Sequence, residues 1–426
     1  MSGENFMAIT NIRVSNFKSF KDLDLNLGRF NVVIGANAAG KSNFTQAFKF
    51  LRDIERNKLD DAVFMHGGPT SLLNRKIGIT QDLAIRAVSD KQMGWGRGSR
   101  FVRVYESTYE LDLRFTGPNS GASVVVDVLR QKFETGASRK KEAAALFEDD
   151  LAIKGEFWSR TSDGKIQMGI EPVELEKFLE KEHILPPLSF FSEARSGTPG
   201  INSLAIQSPF SPVAAPWQTL FGDIGTYNID PHIAREPCPI GGKPELQENG
   251  RNFALILRQI LDNPENSRKF HNLLQDLLPF VIEVGTEKYP EKSVLITLRE
   301  NYYTDAFLAH LLSDGTMNLA ALIVALYFEG KDLVIIEEPE RNVHPRLISG
   351  LMELMKDASR NKQIIITTHS PEVVKHAGLE NLLLISRDQD GFSAISRPAE
   401  KEAVKIFLEH ELGLDDLFVQ DLLAVP

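Results

Sequence analysis

The chain of 426 residues is short of cysteine and of long apolar runs, and each absence narrows what it can be. Cys238 is the only cysteine, which excludes a disulfide framework and a cysteine-based zinc site. No stretch of about eighteen consecutive apolar residues occurs, so no membrane-spanning helix and no membrane partner are expected. Met1 to Ile12 lacks the basic-then-apolar layout of a signal peptide, and a cytoplasmic location is the simplest expectation. Positive charge is not in excess either, with 48 Lys and Arg against 58 Asp and Glu and a net charge of −10. That balance weighs against a bulk-basic nucleic-acid binder. A local basic stripe would still serve, because phosphate affinity depends on where charges cluster. What is present is ordinary for a globular chain: 42% hydrophobic and 25% charged residues, enough for about two or three domains with a sizeable core.

Near the front, Ile9, Ile12, Val14 and Phe17 alternate loosely with polar residues, and Leu23, Leu25 and Leu27 alternate cleanly, as half-buried strands do. Phe30 to Ile34 is a short apolar run, the pattern of a fully buried strand. It leads directly into Gly35-Ala36-Asn37-Ala38-Ala39-Gly40-Lys41-Ser42, two glycines four residues apart followed by Lys and Ser. The glycines let the backbone turn with its amide groups aimed inward at phosphate oxygens, and the next helix adds its positive end. Gly35, Asn37, Ala38, Ala39, Gly40, Lys41, Ser42 and Asn43 are the candidate nucleotide-binding residues. Lys41 has the reach for β- and γ-phosphates, and Ser42 has the hydroxyl for Mg²⁺. Phe44, Ala47, Phe48 and Leu51 follow at helical spacing.

Toward the back, Val334-Ile335-Ile336 reads as a buried strand ending in Glu337-Glu338-Pro339-Glu340. Acidic residues at the carboxyl end of a core strand fit the ligand crevice of an α/β protein. Glu337 takes the metal-side position and Glu338 that of a general base; a solvated acidic loop after a strand would look the same. Gln363 to Thr368 forms another apolar strand, tipped by His369-Ser370-Pro371, and His369 there is placed to meet a γ-phosphate or an attacking water. Upstream, Leu311-Leu312-Ser313-Asp314-Gly315-Thr316 opens the apolar run Leu319 to Leu326, which reads as a helix. Ser313 is a good cap and Gly315 frees amide donors; a plain helix cap is the alternative to a ligand-contacting segment.

In this order the four segments resemble the P-loop, signature, Walker B and switch-histidine motifs of ABC-type ATPases. The long stretch from Lys41 to Ser313, and the short one from Ser313 to His369, make the chain similar to the predicted ATPases grouped with SMC and RecF heads. Those are often labelled AAA-family or OLD-like ATPases, here without a nuclease domain. Ile12 to Phe20, Glu337 to Pro345, and Glu248 to Asn252 carry the rest of the resemblance. It implies an α/β fold, an ABC-type P-loop NTPase head with a mixed core sheet and an antiparallel β lobe, holding a globular α+β insert between P-loop and signature. It also implies ATP and Mg²⁺ as cofactors, Ser42 and Glu337 on the metal, and Lys41, Glu338 and His369 as catalytic residues. Two copies would close head to tail, with Ser313 and Gly315 of one touching the ATP of the other. Two positions depart from the pattern: Glu337 stands where Asp is usual, and Asp314 where Gly is usual, so the Asp314 carboxylate is expected to point away from the partner's γ-phosphate. No Q-loop glutamine stands out; Gln81 and Gln167 are the candidates.

Expected boundaries are 1–75 for the first half of the head, 76–245 for the β lobe and insert, 246–398 for the second half, and 399–426 for closing helices. Ile77 to Val88 and Phe101 to Phe115 read as strands, Gly94 to Gly98 as a Gly-rich turn, and Glu142 to Glu182 as partly helical. Ser192 to Pro216 reads as a long connection, 251–280 as helices, and Val281 to Leu298 as a strand pair. No sustained heptads appear, so the insert is globular and not a coiled coil. Arg139-Lys140-Lys141 offers DNA or RNA a small basic cluster, though a solvated helix face is the blander account. After His369 the residues suit a closing strand and two helices rather than an OLD-type nuclease domain; Leu408, Leu412, Leu414, Leu417 and Leu422 fit packing on the chain's own core. The expected role is an ATP-dependent switch in DNA maintenance or anti-phage defence acting through a separate effector protein. The alternatives are a DNA-acting enzyme controlled by ATP, and a non-hydrolysing ATP-binding scaffold.

Overall fold

The computed structural model describes residues 8–90, 92–97, 100–118, 120–137, 153–162, 165–181, 204–207, 214–243, 245–290, 292–409 and 413–424. The cluster Arg139-Lys140-Lys141, most of the Ser192 to Pro216 connection, and Leu412 lie outside them, as does the side chain of Leu408. Contacts divide the chain into two compact units. One holds Met1–Leu27, Asn43–Ile224 and Arg387–Ala394; the other holds Gly28–Ser42, Gly225–Ser386 and Ile395–Pro426.

The first unit is built on an antiparallel sheet in the order Phe20–Asn26, Ile9–Phe17, Leu83–Ser89, Arg100–Arg114, Ser123–Ala137, Lys154–Ser162, Lys165–Glu171, with Met93–Arg97 paired to Arg100–Arg114. Alternation explains it, since Leu83, Ile85 and Ala87 are buried while Ala84, Arg86 and Val88 are not. Helix Lys41–Arg56 buries Phe44, Ala47, Phe48, Leu51 and Ile54, the face its spacing predicts. Each such large side chain contributes about 1.5–3 kcal/mol of transfer free energy.

Several expectations for the insert need correction. The strand expected from Ile77 starts only at Leu83, because Gly78–Thr80 forms a 3₁₀ turn around a glycine at φ +59°. The Gly-rich turn Gly94 to Gly98 is largely strand, with Trp95 opposite Val102 and Arg97 opposite Arg100. Met93, Trp95 and Arg97 alternate with glycine at the strand period, which outweighs glycine's preference for turns. In the stretch expected to be partly helical, Lys154–Ser162 and Lys165–Glu171 are strands, and only Val173–Lys181 is helix.

The inner face of this sheet is unusually polar. Strand pairing puts Tyr109 beside Leu129 and Leu129 beside Ser159, with Asp127 two residues along on the same face. Trp217 and Phe221 cover Tyr109, at ring-centroid distances of 6.3 and 5.7 Å. Asp127 is fully buried, and its Oδ2 accepts hydrogen bonds from the Thr161 hydroxyl and the Ala205 amide. Asp127 Oδ1 and Tyr109 Oη influence each other's charge, yet both are buried without a well-formed hydrogen bond among the described residues.

A second sheet, most of whose residues belong to the second unit, runs in the order Ile224–Tyr227, Leu333–Glu337, Gln363–Thr368, Phe30–Ile34, Leu382–Arg387, Ser393–Ser396. The four central strands run parallel. They are continuous apolar runs because both faces are covered: Phe30, Val32, Ile34, Ile335, Ile336, Ile365 and Ile366 are all buried. A smaller antiparallel sheet forms from Cys238–Pro239, Val281–Tyr289, Ser293–Glu300 and Phe307–Leu308, including the expected strand pair. Helices Phe253–Asp262 and Pro264–Leu277 occupy the stretch read as helical. Beyond His369 the chain forms a helix, Pro371–Ala377, then two strands, Leu382–Arg387 and Ser393–Ser396, where one was expected, then helices Glu402–Glu409 and Leu414–Val419, so three α-helices stand among the described residues where two were expected. Asp388 to Gly391 makes the turn that divides the two strands, closed by the Gly391 amide on the Asp388 carbonyl at 2.9 Å. Leu417 is buried, and Leu414 and Leu422 pack beside it on the core. No helix among the described residues is long and apolar enough to cross a membrane.

Candidate nucleotide-binding site

Register assembles the site. In the parallel sheet Glu337 pairs with Thr367, and Thr368 pairs with Ile34. The carboxyl ends of three adjacent strands therefore deliver Gly35 to Ser42, Glu337-Glu338 and His369 to one edge, where open α/β sheets bind ligands.

The glycine-rich loop is shaped by close approach. Gly35 has φ +154°, and a Cβ there would lie 2.3 Å from the Ile385 carbonyl oxygen, so no side chain fits. Gly40 has φ +122°, and Ala38 sits in the left-handed region at φ +62°. Lys41 folds back over the loop, its Nζ donating to the Gly35 carbonyl at 2.7 Å and the Ala36 carbonyl at 3.1 Å. Burial lowers the Lys41 ammonium from its usual range, opposed by the charges of Glu338 and Glu340. Ser42 stands exposed at the first turn of its helix, Asn37 and Ala38 are exposed on the loop, and Ala39 and Gly40 are buried. Asn43 Nδ2 donates to Ser19 Oγ at 2.8 Å.

The acidic loop and the histidine meet. His369 Nδ1 lies 3.0 Å from Glu338 Oε1, and the Glu338 amide donates to the Thr367 carbonyl at 2.9 Å. Glu338 carries φ +49°, a conformation that costs an ordinary residue about 1–2 kcal/mol. Glu337, half-buried, ends its strand beside it.

Sequence reasoning missed Glu340. Its Oε1 accepts from the Thr368 hydroxyl, whose oxygen also accepts from the Ser370 amide at 2.9 Å. Its Oε2 is buried with no hydrogen-bond partner among the described residues. Burial pushes the Glu340 carboxyl up, while the Thr368 hydrogen bond pulls the other way. The signal available was the third acid of Glu337-Glu338-Pro339-Glu340, which reads as solvated until the fold buries it.

Ser313 caps helix Asp314–Tyr327, its Oγ accepting from the Thr316 amide at 3.1 Å and lying 2.8 Å from Thr316 Oγ1. Met317 to Leu326 is buried all round, so apolar residues cover every side of this helix. Asp314 is held by Arg235, with His232 Nε2 3.6 Å from its other oxygen. A Cβ on Gly315 would meet the Asn342 carbonyl oxygen at 2.6 Å. Asn318 Nδ2 donates to the carbonyls of Pro339 at 3.1 Å and Arg341 at 2.8 Å. The helix that bears Ser313 is thus fastened to the loop that bears Glu338. Of the two glutamine candidates, Gln81 is exposed with its carbonyl accepting from Asn16, and Gln167 accepts from Arg160.

Comparison with known proteins agrees at both ends. Residues 7–149 match the family described as AAA ATPase domain, and residues 243–375 match AAA domain, putative AbiEii toxin, Type IV TA system. Both ends of the chain are thus similar to AAA-type ATPase domains. Among curated proteins, it is 23% identical over 410 residues to the Old nuclease of Escherichia phage P2, covering 92% of this chain and 61% of that one. It is 42% identical over 52 residues to Endonuclease GajA of Bacillus cereus (strain VD045), covering 12% of this chain and 9% of that one. The retron Ec83 probable ATPase of Escherichia coli is 22% identical over 160 residues, covering 34% and 29%. The chain therefore spans less than two thirds of the length of each of these relatives. Among solved structures, the SMC head bound to the C-winged-helix domain of ScpA aligns with TM-score 0.43 and 15% identity, covering 91% of this chain and 96% of that one. The SMC head domain from Thermotoga maritima aligns with TM-score 0.41 and 15% identity, covering 91% and 98%.

Proposed function

We propose that this chain binds ATP with Mg²⁺, hydrolyses it, and works as a switch by closing head to tail with a second copy. The observation that carries the reading is the meeting of Glu338 and His369, 3.0 Å apart, on the sheet edge that also carries the glycine-rich loop. The loop suits a polyphosphate: Gly40, at φ +122°, lets the backbone turn at its end, and Lys41 holds its ammonium against carbonyls it can leave. Mg²⁺ ordinarily takes only one or two protein ligands, with phosphate and water completing its shell. Ser42 and Glu337 would supply those two. When bound, the ion would neutralise charge on the phosphates.

The chain's own groups divide the remaining work. Lys41 and the loop amides orient the phosphates. Glu338 takes a proton from the attacking water, and His369, hydrogen-bonded to Glu338, fixes its carboxylate and faces the γ-phosphate. Ser313, with the amides freed at Gly315, presents a helix N-terminus to the nucleotide of the other copy. ATP would then favour the closed pair by binding it better than the open monomer. The reading extends to a role in anti-phage defence, through a separate effector or on DNA or RNA, for which the likeness to the Old nuclease, the retron ATPase and the Septu protein PtuA of Bacillus thuringiensis is the support.

The test is sizing by light scattering together with phosphate release, on wild type and Glu338→Gln, with and without ATP and Mg²⁺. ATP should drive assembly, and the variant should retain ATP, lose at least about 100-fold in turnover and accumulate the assembled form. Undiminished turnover in the variant would remove Glu338 from its role; an assembly state indifferent to ATP would remove the switch.

A further inference from the structure

Glu340 sits where a third acid has no assigned task, yet it is more buried than Glu338 and tied to the switch strand. The acidic loop and the strand end are joined at three points. The Glu338 amide meets the Thr367 carbonyl, Glu338 Oε1 meets His369 Nδ1, and Glu340 Oε1 meets the Thr368 hydroxyl. The first is backbone and the second is the proposed catalytic contact. Only the third is a side-chain contact away from the reacting groups.

Its geometry reaches both sides of His369. Thr368 donates its hydroxyl to Glu340 and accepts the Ser370 amide at 2.9 Å on the same oxygen. Donating its proton to a carboxylate makes that oxygen a better acceptor, so the two bonds reinforce each other. The peptide carrying His369 is clamped between them. His369 itself is more than half exposed, at 54%, so packing alone does not hold its ring. Glu340 is in turn fixed by its own loop: the Val343 amide donates to its carbonyl at 3.0 Å, and the Asn318 side chain holds the neighbouring Pro339 carbonyl at 3.1 Å.

We propose that Glu340 is the positioning residue of the switch histidine, acting through the Thr368 hydroxyl to hold His369 against Glu338. The inference rests on the roles given above to Glu338 and His369. It assigns Glu340 no contact with nucleotide and no proton of its own. The carboxylate is needed as a buried acceptor, and an amide oxygen at the same place would serve.

Two sets of variants test it. Glu340→Ala and Thr368→Val remove the clamp from either end, whereas Glu340→Gln and Thr368→Ser keep an acceptor and a hydroxyl. Misplacement of a catalytic group by about an ångström costs on the order of 100-fold. Turnover should therefore fall about 10- to 100-fold in the first two, with the Kd for a non-hydrolysable ATP analogue within about twofold of wild type, and recover to within about threefold in the conservative pair. The double variant Glu340→Ala/Thr368→Val should be no worse than the worse single one, because both remove the same contact. A Glu340→Gln variant as slow as Glu340→Ala would overturn the proposal by showing that the charge matters; additive losses would overturn it by showing separate tasks.

A second readout does not depend on hydrolysis. Imidazole ¹⁵N spectra of the nucleotide-free protein, assigned by His369→Gln, should show Nδ1 of His369 in a hydrogen bond. That signature should be lost in Glu340→Ala and in Thr368→Val while both keep the wild-type melting profile to within a few degrees. An unchanged His369 spectrum in both would refute the positioning role even in a protein that turned over normally. A wild type without phosphate release that shows the spectral change would instead fault the ATPase reading and leave the clamp standing.

Discussion

Asp127 offers a measurement of what the polar interior of the β lobe costs. Burial pushes its carboxyl up from 3.8 to about 6, against the pull of Thr161, Ala205 and Tyr109. The charged form is thus disfavoured in the folded chain. A raised folded pKa contributes stability that is fully present below 3.8 and is lost as pH rises through about 6. A shift of about two units at roughly 1.4 kcal/mol each gives about 3 kcal/mol, nearly half of it lost between pH 5 and 7. Asp127→Asn removes the titration, keeps an acceptor for Thr161 and the Ala205 amide, and offers a donor toward the Tyr109 hydroxyl. Thermal melts of wild type and variant from pH 5 to pH 8 provide the assay. Other carboxylates, such as Asp53 with its lowered pKa, cancel in the difference. The variant should gain on wild type as pH rises, by roughly 2–4 °C in Tm for each kcal/mol in a unit of this size. Parallel curves across that range would refute the reasoning and mean that Asp127 is solvated or already neutral at pH 8.

Three further outcomes follow from the site. Lys41→Ala should weaken nucleotide binding itself, by about tenfold or more in Kd by calorimetry, since a charge-assisted contact of about 1.5–3 kcal/mol is removed; unchanged affinity would overturn the reading of the loop. Gly315→Ala places a Cβ 2.6 Å from the Asn342 carbonyl oxygen, and overpacking of this kind costs about 1–3 kcal/mol, read as a lowered Tm. Ser313→Ala deletes a cap and should cost about 1 kcal/mol by denaturant titration of the free chain. Any larger loss of ATP-driven assembly in that variant measures its contact with the second nucleotide.

Legibility differed along the chain for physical reasons. The core strands were plain because burial on both faces leaves runs such as Val334-Ile335-Ile336 and Ile364-Ile365-Ile366 with no polar interruption. The glycine loop was plain because close approach to Ile385 admits only one residue type at Gly35. The β lobe was harder. Its inner face carries Asp127, Ser159 and Thr161 where an apolar residue is the usual signal, so Lys154–Ser162 did not read as a strand. Met93–Arg97 was hidden by glycines that normally mark a turn. Within the site, Glu337, Glu338 and His369 could be named as candidates because each ends or directly follows a buried strand. Glu340 and Arg235 could not, because their partners, Thr368 and Asp314, lie 28 and 79 residues away.

The fastening of the Ser313 helix to the Glu338 loop, through Gly315 against Asn342 and through Asn318 on the Pro339 and Arg341 carbonyls, has a mechanical meaning. A shift of the acidic loop within one copy cannot be absorbed locally and must carry the capped helix end with it. In the head-to-tail pair proposed above, that end would face the other copy's nucleotide. Each subunit of such a pair would then register its neighbour's chemical state as a displacement of its own, making the two sites a single lever with two handles.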